Sequence, residues 1–451
     1  MASRTTFTIV AVLLSVFLYF YLDAHVPEPF PQKFKLKIMD AFMKTYGHVM
    51  SGMTSLGLIE YFSAADRKIG DWFILTMTTG FPWGSGVDSR LQITDTKLRD
   101  VRVKIYQPAN SLGKKKRPVL VYFHGGGWSL LSADCYDPIM RKISRESEVV
   151  VISVDYRLSP QHPFPVPLND CFDVVEYVLD NSDTLGVDSS RVAIGGDSAG
   201  GNMAAAISLR LQKRIALQLV LVPVLQIINW QTTGYMENVL YLNKSINSPN
   251  SLVFLTNYLN LSPAYAHQFL INNHTSPEFK KSKYFDSVDQ KKWMPKKYVR
   301  TKDLWENIEY KKDFGNQELF KKVEGYLKEP LISPLIADDE TLSGLPFTYI
   351  MTCGYDFIRD DGIMFHEKLK YLNVKTELAH YPEGFHNALM FPHGPLKMDI
   401  GVKIIADINS SGTEVIDSKG KAAILNEQYD SVFTDEDMNT MPSLGKATST
   451  T

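Results

Sequence analysis

Cysteine is scarce. The chain has three in 451 residues, which excludes a disulfide scaffold and allows at most one bridge with one thiol left over. Metal-type spacings are missing as well, with no Cys-x-x-Cys and no His-Glu-x-x-His. No Gly-x-x-x-x-Gly-Lys phosphate loop occurs, so the reading includes no cofactor and no metal. Charge of one sign does not dominate: 48 basic against 50 acidic residues leave a net charge of −2, and no nucleic-acid partner is expected. Internal repeats are also lacking. What remains is a chain with 44% hydrophobic residues, long enough for one large domain or two smaller ones.

One uninterrupted apolar stretch stands at the N-terminus, 5-TTFTIVAVLLSVFLYFYL-22, between Arg4 and Asp23. Its length is at the short end of what spans a bilayer. The residues that follow, Asp23 to Pro27, offer no small-x-small cleavage site, so residues 1–24 are expected to form an uncleaved signal-anchor helix in the membrane. A cleaved signal and a secreted protein is the alternative. Charge leaves the orientation open, with Arg4 on one side and Lys33, Lys35 and Lys37 on the other. Asn-x-Ser/Thr triplets at Asn243, Asn260, Asn273 and Asn409 are usable as glycan acceptors if the body faces the lumen or the exterior.

Residues 25–90 carry apolar positions at helical spacing (Leu36, Met39, Phe42, Met43, Tyr46) and form an N-terminal cap segment. The pattern then changes. Short apolar runs rich in β-branched residues recur at 101-VRVKIY-106, 118-PVLVYF-123, 149-VVVISV-154, 191-RVAIG-195, 217-LQLVLVPV-224, 347-FTYIMTC-353 and 375-KTELAHY-381. Several are apolar throughout, as strands covered on both faces must be. Helical segments alternate with them, which predicts an α/β fold: a mostly parallel central sheet with helices on both faces over residues 91–398. Residues from about 230 to 330 show no strand run and read as a helical cap inserted between two strands. The lysines crowded into 280–312 suit a solvated helical face, or alternatively a membrane-apposed one.

The stretch 193-AIGGDSAGG-201 places a serine in Gly-x-Ser-x-Gly, after a strand-like run and before a helical one. That is the setting of a nucleophile elbow, where a tight turn lifts the hydroxyl above the sheet and tolerates only small neighbours. The run 118–123 ends in 124-HGGGW-128. His-Gly-Gly-Gly is the motif with which lipases and esterases offer backbone N–H groups to an oxyanion. We assign these donors to Gly125, Gly126 and Ala199, and give His124 a bracing role. A serine hydroxyl needs a base and an orienting carboxylate, which in this fold class follow the nucleophile in the order acid, then histidine. Asp356 and His386 each lie just past a strand-like run, at the edge where α/β sites form. Asp360 and Asp361 read as helix N-terminal charges, His380 falls in a strand, His366 in a helix, and His393 too far along. The catalytic set is therefore Ser198, His386 and Asp356, with Trp128 and apolar residues of the N-terminal helices and the insertion lining a pocket for an apolar, lipid-like ester. A non-catalytic receptor on the same fold is the rival reading.

HGGGW, 155-DYRLSPQHPFP-165, GDSAGG, YDFIRD and the Gly-Phe-His turn, in this order, resemble the arylacetamide deacetylase-like branch of the hormone-sensitive lipase family of α/β-hydrolases. The resemblance runs to about residue 395. It implies a serine hydrolase of carboxylic esters, with amides as further substrates, and no cofactor. It also implies a single-pass type II protein of the endoplasmic reticulum membrane with a luminal catalytic domain. In that branch a cysteine follows HGGGW and pairs with one before the acid-bearing turn. Here Ser129 holds the first position and Cys353 the second, with Cys135 as the candidate substitute. Asp155 and Arg157 are expected to tie loops beneath the site. Residues 399–451 are expected to be an atypical, disordered tail lacking the family's C-terminal helix, and 419–445 resembles the region upstream of the polymerase domain in non-LTR retroelement reading frames.

Overall fold

Strand alternation decides which way the core residues face. In the computed structural model, which describes residues 21–22, 26–28, 30–80, 86–109, 116–239, 241, 251–306 and 314–416, eight strands form one sheet. They are β1 Leu91–Leu98, β2 Val101–Pro108, β3 Arg117–Phe123, β4 Val150–Asp155, β5 Val187–Asp197, β6 Leu217–Leu221, β7 Phe347–Tyr355 and β8 Thr376–Phe385, in the order β1-β2-β4-β3-β5-β6-β7-β8. Neighbours from β4 to β8 pair in parallel, whereas β2 is antiparallel to both β1 and β4. Val119, Val121 and Phe123 of β3 join one apolar cluster, and Leu120 and Tyr122 join another. The same division runs through β4, with Ile152 and Val154 against Val151. A period of two with both sets apolar requires cover on both faces.

That cover comes from helices: α1 Lys33–Ser55, α2 Ala64–Thr79, α3 Ala133–Ser147, α4 Val166–Asp180, α5 Ala199–Leu211, α6 Thr233–Asn238, α7 Leu252–Tyr258, α8 Gln317–Leu327, α9 Arg359–Tyr371 and α10 Asp399–Ile416. Helices α4, α5 and α9 bury Val174, Ile207 and Phe365 in the first cluster. Helices α1, α3 and α10 bury Leu36, Ile143 and Ile404 in the second. Two elements depart from the expectation. Strand β1, LQITDTKL, is mostly polar and half-exposed, so it carries no apolar run; its full register with β2 makes it a strand. Helix α10 occupies the start of the expected tail. Ile404, Ile405 and Ile408 form a buried stripe at helical spacing, and Tyr381 of β8 donates to Asp407 at 2.7 Å. Lys403 and Ser410 of the same helix are exposed, while Asn409 is buried against α3. Residues 417–451 lie outside the described residues.

Between β6 and β7 the described residues are helical or irregular, and they include α6, α7 and α8. This insertion is fastened to the sheet by buried charge. Arg359 meets Glu237 at 2.7 Å and Asp360 at 2.8 Å, while Asp360 accepts from the Thr233 hydroxyl and the Gly234 N–H. Asp361 accepts from the Leu225 N–H and the Gln226 amide. The two aspartates are therefore more than helix N-terminal charges: they anchor the cap. Cys135, Cys171 and Cys353 are all buried free thiols, so the Cys135–Cys353 bridge does not form. The Cys135 thiol instead donates to Asp71 at 2.9 Å.

If α10 belongs to the core, Ile405→Ala should lower the unfolding free energy by about 2–4 kcal/mol through lost burial and the cavity left behind. A urea titration reads this as a reduced midpoint at unchanged slope.

Candidate active site

Ser198 stands between β5 and α5 with φ 55° and ψ −118°, a conformation that L residues rarely adopt. The surroundings impose it. A β-carbon at Gly200 would fall 2.0 Å from the Phe123 carbonyl oxygen, and one at Gly196 would fall 2.5 Å from the same atom. The Ser198 N–H donates to the Leu221 carbonyl at 2.9 Å, pinning the elbow to the end of β6.

His386 follows β8 directly, and Asp356 follows β7. The His386 Nδ1 lies 2.9 Å from Asp356 Oδ2, and its Nε2 lies 3.1 Å from Ser198 Oγ. With Nδ1–H given to the carboxylate, Nε2 is left to accept from the serine hydroxyl. Asp356 is fully buried, and its other oxygen accepts from the Ile358 N–H at 3.0 Å. Asn238 of α6 donates to the Gly354 and Asp356 carbonyls, so the inserted cap holds the acid-bearing turn. Burial alone would lower the His386 pKa, but the charge and hydrogen bond of Asp356, with the charge of Asp197, outweigh it and hold the imidazole above its usual value.

Gly125 does not join this set. Its N–H donates to the Tyr136 hydroxyl at 3.0 Å, and the site cavity is lined by Gly126 and Gly127 instead. Both have positive φ, 110° and 62°. Tyr136 in turn donates to Asp197 Oδ2 at 2.7 Å, and Tyr122 donates to Oδ1 at 2.8 Å. Sequence reasoning missed Gly127, Asp197 and both tyrosines. Gly127 stood in the motif, and Asp197 was the variable position of Gly-x-Ser-x-Gly; the tyrosines carried no local signal. His124 stacks on Tyr156 at 4.3 Å with Nδ1 2.7 Å from the Gly125 carbonyl, and burial pushes its pKa down. Asp155 accepts from Arg102 and from the Ala133 N–H, and Arg157 pairs with Asp170. His380 and His366 are each pushed down to about 4 by burial, and bond Thr352 and Thr376 respectively.

Ser198, Ala199 and His386 open on a cavity of about 310 Å³ walled by Met39 and Met43 of α1, Ile74 and Met77 of α2, and Trp128, Trp230, Leu252 and Phe254. Trp128 stacks on Tyr258 at 4.4 Å. Among the glycan candidates, Asn260 is exposed. Asn273 donates to Gln268, with Thr275 of its triplet fully buried, and Asn409 is 9% exposed and donates to Glu146 at 2.8 Å. A glycan at either of these two would break a packed contact. Asn243 and most of the 1–24 segment lie outside the described residues. Among those described, no helix is long and apolar enough to cross a membrane.

A family described as having the α/β-hydrolase fold matches residues 120–288 and 273–390. Arylacetamide deacetylase of Bos taurus is 33% identical over 397 residues, covering 85% of this chain and 93% of its own. Neutral cholesterol ester hydrolase 1 of Mus musculus is 30% identical over 414 residues, covering 89% and 97%. Among solved structures, a bacterial heroin esterase superposes with a TM-score of 0.57 at 24% identity, covering 78% of this chain and 92% of that one, a likeness of fold.

The environment of His386 makes a direct prediction. In the free protein its imidazole should titrate above 6.5, and in Asp356→Asn, where the charge of Asp197 still opposes burial but that of Asp356 is gone, at a lower pH than in the wild type. Histidine-selective NMR over a pH series measures both.

Proposed function

We propose, from the premise that this chain belongs to the α/β-hydrolase fold family and is a carboxylic ester hydrolase of the arylacetamide deacetylase-like type, that it cleaves apolar, lipid-like esters by way of an acyl-enzyme on Ser198. The observation that carries this reading is the unbroken chain Ser198 Oγ, His386 Nε2, His386 Nδ1, Asp356 Oδ2 at the mouth of an apolar cavity. Ser198 Oγ attacks the ester carbonyl carbon while His386 Nε2 takes its proton. Asp356 keeps the imidazole in the tautomer that can do so and stabilises the imidazolium. Negative charge then gathers on the former carbonyl oxygen. The N–H groups of Gly126, Gly127 and Ala199 receive it; Ala199 opens α5, where the first-turn donors have no intrahelical acceptor. His386 returns the proton to the leaving alkoxide, which departs as the alcohol. Water, deprotonated by the same nitrogen, then attacks the acyl-enzyme and releases the acid. Amides of apolar amines fit the same steps, with His386 protonating a poorer leaving group.

The reading extends to location. We place residues 1–24 in the endoplasmic reticulum membrane as a type II anchor with the catalytic body luminal. Its supports are the apolar run 5–22 and the exposed Leu56, Leu58, Tyr61 and Trp72 in and around α1 and α2. Alkaline carbonate extraction of membranes should leave the full-length chain in the pellet; release into the supernatant favours the secreted form.

Two outcomes test the chemistry. Ser198→Ala should lower kcat by about 10⁴-fold or more and abolish labelling by a fluorophosphonate probe. No adduct on Ser198 in the folded wild type would instead support the receptor reading. Because only the neutral imidazole accepts a proton, kcat/KM should rise with pH through a midpoint above 6.5, the sense in which Asp356 shifts His386.

A further inference from the structure

Phe254, in α7, lines two spaces at once. On one side is the reaction cavity; on the other is a surface cleft of about 710 Å³ walled by Tyr61, Phe62, Val253, Asn257 and Leu261. Among the described residues Phe254 is the one lining residue that the two spaces share. It packs directly on the oxyanion loop: a β-carbon placed at Gly127 would fall 2.6 Å from its Cγ. Its ring meets Phe62 edge to face, with centroids 5.9 Å apart and planes at 79°. Phe62 is held rigidly, with φ 62°, its N–H donated to Asp66 at 2.6 Å and its carbonyl accepting from Gln161.

The reaction cavity, at about 310 Å³, is at the lower end of the range of roughly 300–1,000 Å³ found for small-molecule sites. A long apolar ester does not fit it whole. The outer cleft is mostly apolar and lies on the far side of Phe254. We propose that this cleft is a second subsite for the distal part of a long apolar chain on the ester, and that Phe254 is the partition that sets how much of the chain reaches it. The chemistry recognised is a saturated hydrocarbon chain, supplied from either the acyl or the alcohol side of the ester. Because one side chain walls both the cleft and the reaction cavity, this occupant is favoured over a separate ligand.

The inference rests on the esterase reading above, and its test is arranged so that the two fail separately. The probes are p-nitrophenyl esters from acetate to palmitate for the acyl arm, and alkyl acetates from ethyl to hexadecyl for the alcohol arm. Each is run on full-length wild type, Phe254→Ala, and Phe254→Ala with Leu261→Trp, which refills the cleft. Phe254→Ala should raise the long-to-short ratio of kcat/KM about tenfold in one arm, the worth of roughly two buried methylenes. Leu261→Trp should remove that gain. The arm that responds identifies which side of the ester enters the cleft. An unchanged ratio in both arms overturns the subsite, as does a gain that survives Leu261→Trp, since the added space would then lie within the reaction cavity. A cooperative thermal melt verifies that each variant is folded, and Val253→Trp fills the cleft from α7 if the Leu261 variant does not fold. Wild type that turns over no ester and takes no fluorophosphonate on Ser198 overturns the esterase reading itself.

Discussion

The site depends on how closely two backbone turns approach each other. The end of β3 and the start of α5 meet with the Phe123 carbonyl in the space where side chains at Gly196 and Gly200 would otherwise stand. That contact fixes two things together. It forces the turn in which Ser198 takes its unusual dihedrals, and it sets the loop that leaves β3, with Gly126 and Gly127, beside the serine. Nucleophile and candidate oxyanion donors thus come from one steric event between adjacent parallel strands. Asp356 and His386 follow β7 and β8, two and three strands along the same sheet from β5, so the sheet's spacing sets the distances among all four.

Charge is organised on the same frame. Two buried carboxylates flank one imidazole, yet they are held differently. Asp356 accepts directly from His386 and from a backbone N–H. Asp197 is kept in place by the hydroxyls of Tyr122 and Tyr136, one from β3 and one from α3. Burial raises the Asp197 pKa, and the two tyrosine hydrogen bonds and the nearby His386 charge oppose the rise. Because Tyr136 also takes the Gly125 N–H, the network that holds this charge also fixes the first glycine of the oxyanion loop. The Gly125 N–H is therefore engaged by Tyr136, while Gly126 and Gly127 line the cavity.

Much of this was legible in the sequence, and what was not has physical reasons. Parallel strands buried on both faces announce themselves as apolar runs, and Ser198, Asp356 and His386 stand where such runs end. The edge strand β1 escaped because one exposed face leaves a strand polar. Helix α10 escaped because Ile404, Ile405 and Ile408 make a narrow stripe among glycine, lysine, asparagine and serine, and nothing local shows what the stripe rests on. The choice between Gly125 and Gly127 could not be made from the motif. It depends on where the Tyr136 hydroxyl arrives, eleven residues away in sequence and across a fold in space. The roles of Asp360 and Asp361 are likewise tertiary, since their partners are in the cap.

Chemistry and selectivity are therefore carried by different parts of the chain. The reacting groups stand on sheet edges whose geometry is fixed by backbone contacts and buried charge. The cavity walls come from α1, α2 and the insertion, elements joined to the sheet by side chains, including the Arg359–Glu237–Asp360 cluster. Asn238, helped by Arg300, which donates to the Gly354 carbonyl at 2.8 Å, joins the two. It belongs to the cap, yet it holds the carbonyls around Asp356, so the wall cannot shift freely without loosening the acid. A side chain such as Phe254 has no such tie: it shapes the room for substrate and touches the oxyanion loop only through packing. On the proposed function, substitution at walls of this second kind would change which ester lengths are taken while the hydrogen bonds of Ser198, His386 and Asp356 stay as they are.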